Sequence, residues 1–280
     1  MRAFFVQLGG EFYKMAMRPR TWIAFGMALV FECAVSAALR IPGVREAIAR
    51  DLWKMHWRFD ETFSGLTTAA HMLGEAATVL GGFGIALVAS DIMAKESEDG
   101  TLQAILARPI TRSRIFVLKL IACTGYVLTL TGFVALTALG IGLVFEGRGP
   151  LLLIAQHEEI IGAFDYAEGL ERYRIAAVLL LFTQFSGMVV PFAFSCFNMR
   201  PNAAVAVALG LLLADTSIRV APNLVSVRPF CMTSRLLSWR QAFNEVIPWT
   251  RIRRNDVILA GWDVAWLATG WVVFRRRDVQ

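Results

Sequence analysis

Leu120–Phe145 reads LIACTGYVLTLTGFVALTALGIGLVF, an apolar stretch without a single charged residue. A hydrocarbon core about 30 Å thick is crossed by about 20 mostly apolar helical residues, so this segment is long enough to span a bilayer. Ile175–Met199 is also free of charge and long enough to span. Around these two, four less pure stretches complete a pattern of six spans, at about 21–39, 72–93, 115–146, 175–199, 203–220 and 257–274. Trp262, Trp266 and Trp271 in the last of them suit a membrane interface. The composition agrees: 56% of the 280 residues are hydrophobic and only 18% are charged, against about 45–50% and about 25% in an ordinary soluble domain. The sequence therefore predicts an all-α integral membrane protein folded as one membrane domain over 1–280. It argues against a disordered chain, a coiled coil, a disulfide-rich miniprotein or most soluble enzymes.

Ahead of the first span, Phe5, Leu8, Phe12 and Met15 fall on one helical face, with Lys14 and Arg18 off it. The spacing predicts an interfacial helix over 1–20, ended by Pro19, rather than a cleavable signal peptide. Six spans put both termini on one side. Arg18 and Arg20 before the first span, and Arg275, Arg276 and Arg277 after the last, favour the cytoplasm. The net charge of +6 then points to anionic lipid headgroups, since no nucleic-acid-binding motif accompanies it. Three prolines break up 222–256, which predicts outer-face helices or a re-entrant element. A solvated acidic helix is expected around His157, Glu158, Glu159, Asp165, Glu168 and Glu171. Cys33, Cys123, Cys196 and Cys231 are far apart and form no CxxC or Cys/His cluster, so neither a zinc site nor a thiol pair is expected.

The most informative stretch joins the second and third spans: DIMAKESEDGTLQAILARPITRSRIFVLKL, Asp91 to Leu120. Asp91, Glu96, Glu98 and Asp99 form an acidic run. Gly100 permits a sharp turn, and Thr101 is placed to cap a new helix. Pro109 disfavours helix at Arg108, so that helix is short. Leu102, Ile105 and Leu106 share one of its faces. Thr111 caps the next span, Arg112 and Arg114 follow at headgroup depth, and Lys119 lies deeper. A helix this short is marginal in water and must pack on something: the bilayer surface, or a groove on a partner with Leu102, Ile105 and Leu106 as anchors.

Glu96, Gly100, Thr101, Leu102, Arg108, Pro109, Ile110, Thr111, Arg112 and Lys119, in this order between spans two and three, resemble the signature of the ABC-2 type permeases, the membrane subunits of ATP-binding-cassette exporters. The ending FRRRDVQ is similar to that family's usual C-terminus. The resemblance implies that 1–20 is an elbow helix and that the segment 94–113 is a cytoplasmic coupling helix seated in a cleft of an ATPase subunit. Glu96, Gly100, Thr101, Leu102, Ile105, Leu106, Arg108, Pro109 and Arg112 would then serve partner binding. It further implies a second permease copy or homologue, a multi-pass location in the inner or plasma membrane, and an export function.

No cofactor site is visible in this chain. Its only lysines, Lys14, Lys54, Lys95 and Lys119, do not follow a glycine, so there is no Walker A loop. ATP and Mg are expected on the partner ATPase, and catalytic and metal-binding residues are expected to be absent. The alternatives are a stand-alone secondary transporter, which predicts an internal repeat and broken midplane helices, and a membrane enzyme acting on lipid, which needs a His/Asp/Glu cluster near one bilayer face. Neither signal is present. Charged groups within spans tend to face a cavity or bundle interior. That makes Glu32, Asp215 and Asp263 substrate-path candidates, with Asp215 and Arg219 spaced for an intrahelical pair.

Overall fold

The computed structural model describes residues 2–54, 64–76, 82–107, 110–155, 160–224 and 226–277. Arg108, Pro109, His56, His157, Glu158 and Glu159 lie outside the described residues, as do 77–81 of the expected second span.

The chain opens with α1 (Arg2–Ala16), which turns directly into α2 (Pro19–Ala38). Pro19 does not merely end α1. It occupies the first turn of α2, where its missing N–H costs nothing, and the Thr21 hydroxyl donates to the Met15 carbonyl at 2.6 Å to fix the corner. After α3 (Pro42–Lys54) come α4 (Gly65–Glu75) and α5 (Gly82–Glu98). A short α6 (Thr101–Leu106) separates α5 from the long α7 (Arg112–Glu146). α8 (Tyr166–Ser195), α9 (Pro201–Val220) and α11 (Trp249–Arg276) complete the bundle, with a four-residue α10 (Thr233–Leu236) and single 3₁₀ turns between the last two. Five helices among the described residues, α2, α7, α8, α9 and α11, are long and apolar enough to cross a membrane.

The expected second span is not one described helix. α4 starts against the far end of α7, where Gly65 and Gly142 lie backbone to backbone: a Cβ on either would strike the other's carbonyl oxygen. Small residues permit that approach. α5 finishes at the near end of α7, where Glu96 meets Lys119. The two helices thus follow one another along α7.

The core runs continuously through the bundle. Phe116 of α7 meets Phe192 of α8 and Trp271 of α11 edge to face, with ring centroids 5.3 and 5.5 Å apart. Buried tyrosine hydroxyls are satisfied across helices: Tyr126 donates to the Thr21 carbonyl at 3.2 Å and Tyr173 to that of Ala135 at 2.7 Å.

The acidic helix expected around 157–171 is present only from Tyr166 on, with Glu168 and Glu171 in it, and is corrected over 160–164. Leu151–Ala155 and Ile160–Phe164 pair as an antiparallel hairpin, β1–β2, in register from Leu151 opposite Phe164 to Ala155 opposite Ile160. Asp165 then caps α8, accepting from the Glu168 N–H at 2.8 Å. Ile160 and Ile161 are β-branched residues, a type that favours strand over helix. The hairpin is a small exception to an otherwise helical fold. The segment 222–256 consists of short helical turns and the first residues of α11.

Candidate functional site

The turn between α5 and α7 is built from the backbone up. Gly100 has φ +69°, a left-handed conformation that suits glycine, and it is the residue that starts α6. Thr101 is not the cap expected of it. It lies one position inside the helix, and its hydroxyl donates back to the Glu96 carbonyl at 3.2 Å. Thr111 does cap α7, its hydroxyl oxygen accepting from the Arg114 N–H at 3.4 Å.

The apolar face of α6 is turned inward. Leu102 is 0% exposed and belongs to the bundle core, and Ile105 and Leu106 are half-buried against it. Leu102 therefore cannot itself enter a groove on another protein in this conformation, which corrects its expected role as a docking anchor. The physical reason is that one apolar face has only one partner to choose, and the nearby core takes it. The surface offered to solvent is Thr101, Gln103, Ala104 and Ala107.

Charges anchor this turn on three sides. The Lys119 ammonium is 1% exposed and lies 2.7 Å from Glu96 and 3.0 Å from Glu11. The contact with Glu96 is an ion pair rather than an aligned hydrogen bond, while Lys119 also donates to the Ile92 carbonyl at 3.1 Å. Lys14 closes the ring, 2.7 Å from Glu11 and 3.1 Å from Glu96. Two cations and two anions thus join α1, α5 and α7. Burial alone would raise the Glu11 carboxyl, but the charges of and hydrogen bonds from Lys119 and Lys14 together outweigh it and hold Glu11 below its ordinary value. Burial likewise opposes the charge on Lys14, and its two carboxylate partners prevail, raising it above its ordinary value. Nearby, Arg20 of α2 pairs with Asp91 of α5 at 2.8 Å.

The third anchor is the end of α11. One nitrogen of Arg112 donates to the carbonyls of Phe274, Arg275 and Arg277 at 3.0, 3.2 and 2.6 Å. These are the orphan acceptors at a helix C-terminus, where positive charge is favoured. Arg277 reaches back, donating to Ser97 just before α6, to Asn198 at 2.7 Å and to the Phe197 carbonyl at 3.2 Å. The arrangement has no catalytic character. It ties the helices on either side of α6 to α1 and to the end of α11.

Of the residues singled out in the sequence, Glu96, Gly100, Thr101, Leu102, Ile105, Leu106 and Arg112 do gather here. Glu96 and Arg112 point into the braces rather than outward. Glu11 was missed, and Lys14 was seen only as lying off an apolar face. The available signal was Lys119: a lysine deep in an apolar span requires carboxylates, and Glu11 stands three residues from Lys14.

Glu32, Asp215 and Asp263 are not brought together; no hydrogen bond or ion pair among the described residues links any two of them. Glu32 is 0% exposed, and neither carboxyl oxygen has a hydrogen-bond partner among the described residues. The Thr137 hydroxyl beside it donates to the Phe133 carbonyl at 2.8 Å. Asp263 accepts from the Ser186 hydroxyl at 2.7 Å, joining α11 to α8. Asp215 makes no ion pair with Arg219 among the described residues. It accepts instead from the N–H of Met232 at 3.3 Å and from the N–H and hydroxyl of Thr233 at 2.7 and 2.6 Å, fixing α10 to α9.

A family model described as ABC-2 family transporter protein matches residues 8–214, from within α1 to the second half of α9. No curated protein matches the chain.

Proposed function

The chain belongs to the ABC-2 family of transporters, and from that membership we propose that it is the membrane subunit of an ATP-driven exporter, coupled to a separate ATPase through α6. ATP and Mg would bind and react on that partner. Binding of ATP would move the partner's cleft, and α6 would carry the movement into the bundle. A partner that binds one packing better than another shifts the population between them. The observation that supports this reading is that the two helices flanking the six-residue α6 are tied by charged side chains to α1 and α11, so that a movement of α6 would be passed to both.

Within this reading α4 and α5 together make a sixth crossing beside the five long helices, and α1 is the elbow helix. Both termini face the cytoplasm of a cell with the chain in its inner or plasma membrane, and a second permease copy completes the pathway. The contact with the ATPase is assigned to Thr101, Gln103, Ala104 and Ala107, with Ile105 and Leu106 at the edge and Arg108 and Pro109 adjoining in sequence. Glu96, Leu102 and Arg112 then act by positioning the helix.

The test is co-purification with the ATPase. Ala104→Arg adds bulk and charge on the outward face without touching the core, and should abolish co-purification and ATP-dependent export while leaving membrane insertion and Tm unchanged. Intact assembly in that variant would overturn the docking assignment. A single cysteine at position 104 should react with a membrane-impermeant thiol reagent only after the cells are opened. Reaction in intact cells would place α6 on the outer side.

A further inference from the structure

At the opposite end of the bundle from α6, a cavity of about 920 Å3 opens between α5, α8, α9 and the segment from α10 to Arg240. Its volume sits at the upper end of the range for small-molecule sites, about 300–1,000 Å3. The walls are mostly apolar. Leu209, Leu212 and Leu213 of α9 face Leu180 of α8 and Ile85 of α5, and Leu236 and Trp239 close the far end. From Leu209 to Arg219 the cavity follows α9 for about 15 Å.

Thr183 and Gln184 of α8 and Thr216 of α9 are polar points along the walls, and the two cationic side chains are Arg219 and Arg240. Arg219 is in the last turn of α9, and its Nε is buried without a hydrogen-bond partner among the described residues. Arg240 also lines the cavity, stacked over the Trp239 ring at 5.6 Å and 3.8 Å from Glu75, a well-exposed carboxylate. Asp215, one turn from Arg219, has its oxygens taken by Met232 and Thr233. Among the described residues the lining contains two cations and no carboxylate.

We propose that this cavity binds an amphiphile with one long apolar chain and one anionic head, a long-chain carboxylate being the simplest case, with the head on Arg219 and the chain running inward along α9. A buried guanidinium donor left without an acceptor is costly, and a carboxylate supplies oxygens in the geometry the fork prefers. The apolar walls reward a chain. A cation would be repelled by Arg219, and a sugar would find few partners along the leucines of α9. The assignment names the cargo class of the exporter proposed above and rests on that reading for its role in transport. Binding itself does not depend on that reading.

The experiment uses the full chain in lipid nanodiscs without any ATPase. The probe is a long-chain fatty acid carrying a mid-chain diazirine, and labelled peptides are mapped by mass spectrometry. Labelling is expected on α9 and on 233–240. The unlabelled carboxylate should compete at least tenfold better than the primary alcohol of the same length. Arg219→Gln should bring the two within twofold of each other while leaving competition by the alcohol unchanged. Gly187→Trp, where a side chain would enter the cavity, or Leu213→Trp, at an exposed position of the wall, should abolish labelling. Equal competition by acid and alcohol, or an unchanged ratio in Arg219→Gln, would overturn the proposal. So would better competition by two-chain phosphatidylglycerol, or loss of labelling when two copies are cross-linked through α9, which would give the cavity to lipid or to the second copy. If labelling is carboxylate-selective but no ATP-dependent export exists, the transport reading fails and the site stands. If other cargo is exported without selective labelling, the reverse holds.

Discussion

The two ends of this bundle are held by different chemistry. At the α6 end, ion pairs do the holding: Lys119 with Glu96 and Glu11, Lys14 with both carboxylates, and Arg20 with Asp91. Hydrogen bonds to backbone serve both ends, and at the other end they predominate, with exposed carboxylates in the ion pairs of Arg172 with Glu168 and Arg240 with Glu75. Asp215 caps α10, the Leu152 N–H donates to Thr67 at 2.9 Å, and Arg172 donates to the carbonyls of Asn244 and Glu245 at 3.1 and 3.0 Å. Ion pairs across helices bind several elements into one body. Caps on short turns fix one turn at a time and leave a chamber beneath them. The contrast fits an element that transmits force at one end and a lining that accommodates a guest at the other.

The largest effect is expected from breaking the buried ion pair. Lys119→Met leaves Glu96, 4% exposed at its side chain, with only the half-exposed Lys14 as counter-charge. Removing one partner of a buried pair costs about 3–5 kcal/mol. The measurement is thermal unfolding of the purified chain in detergent, where Tm should fall sharply. Adding Glu96→Met should recover much of the loss, because the uncompensated charge goes with it. A double variant no more stable than Lys119→Met would mean that Glu96 is not what Lys119 serves.

At the opposite end, Asp215→Ala removes the acceptor of one hydroxyl and two backbone donors. An unsatisfied buried donor costs about 1–3 kcal/mol. The expected signature is local: faster proteolysis within 222–248, with the α6 end still protected. If both ends loosened together, the ends would be one cooperative unit and the contrast between them would dissolve. A smaller effect is expected from Arg112→Gln. It loses a charged donor shared by three carbonyls, worth about 1.5–3 kcal/mol at most for hydrogen bonds to charged groups, and part of it exposed to water. Hydrogen exchange should quicken in the last turn of α11 and leave the Asp215 cap unchanged.

Much of the frame was legible in the sequence, because a bilayer demands long apolar helices and two of the six stretches stand out by length and purity alone. Gly100 and Thr111 were legible as turn and cap because local backbone chemistry decides them. The orientation of α6 was not. Periodicity shows that Leu102, Ile105 and Leu106 share a face and is silent on whether that face meets the chain's own core or another surface. The hairpin was hidden by acidic neighbours that bias a reader toward a solvated helix. Glu11 was hidden for a different reason: its partner Lys119 lies 108 residues away, and no spacing rule reaches that far. The acid Asp215 illustrates the converse. Its i,i+4 spacing from Arg219 suggested a pair, and a nearer set of backbone donors claimed it.

The mildest expected effect concerns pH and bears on whether the ion-paired end works as a unit. Glu11 titrates below its ordinary value of 4.5 in the folded chain. The unfolded chain therefore binds the proton first as pH falls, and the stability Glu11 contributes is present in full above about 4.5 and is lost as pH drops through the lower folded value. Lys14 titrates above its ordinary 10.5, so its contribution is present below that value and is lost as pH rises beyond it. Between the two lies a plateau. The stability difference between the natural chain and Glu11→Gln, followed by Tm, should stay constant across that plateau and shrink below pH 4.5. The same comparison made with Asp215→Asn would probe a carboxylate held by backbone donors instead of by lysines. If the Glu11 difference shrank at neutral pH instead, Lys119 and Lys14 would not be its governing partners, and the collar around Lys119 would be a set of separate contacts, not one brace.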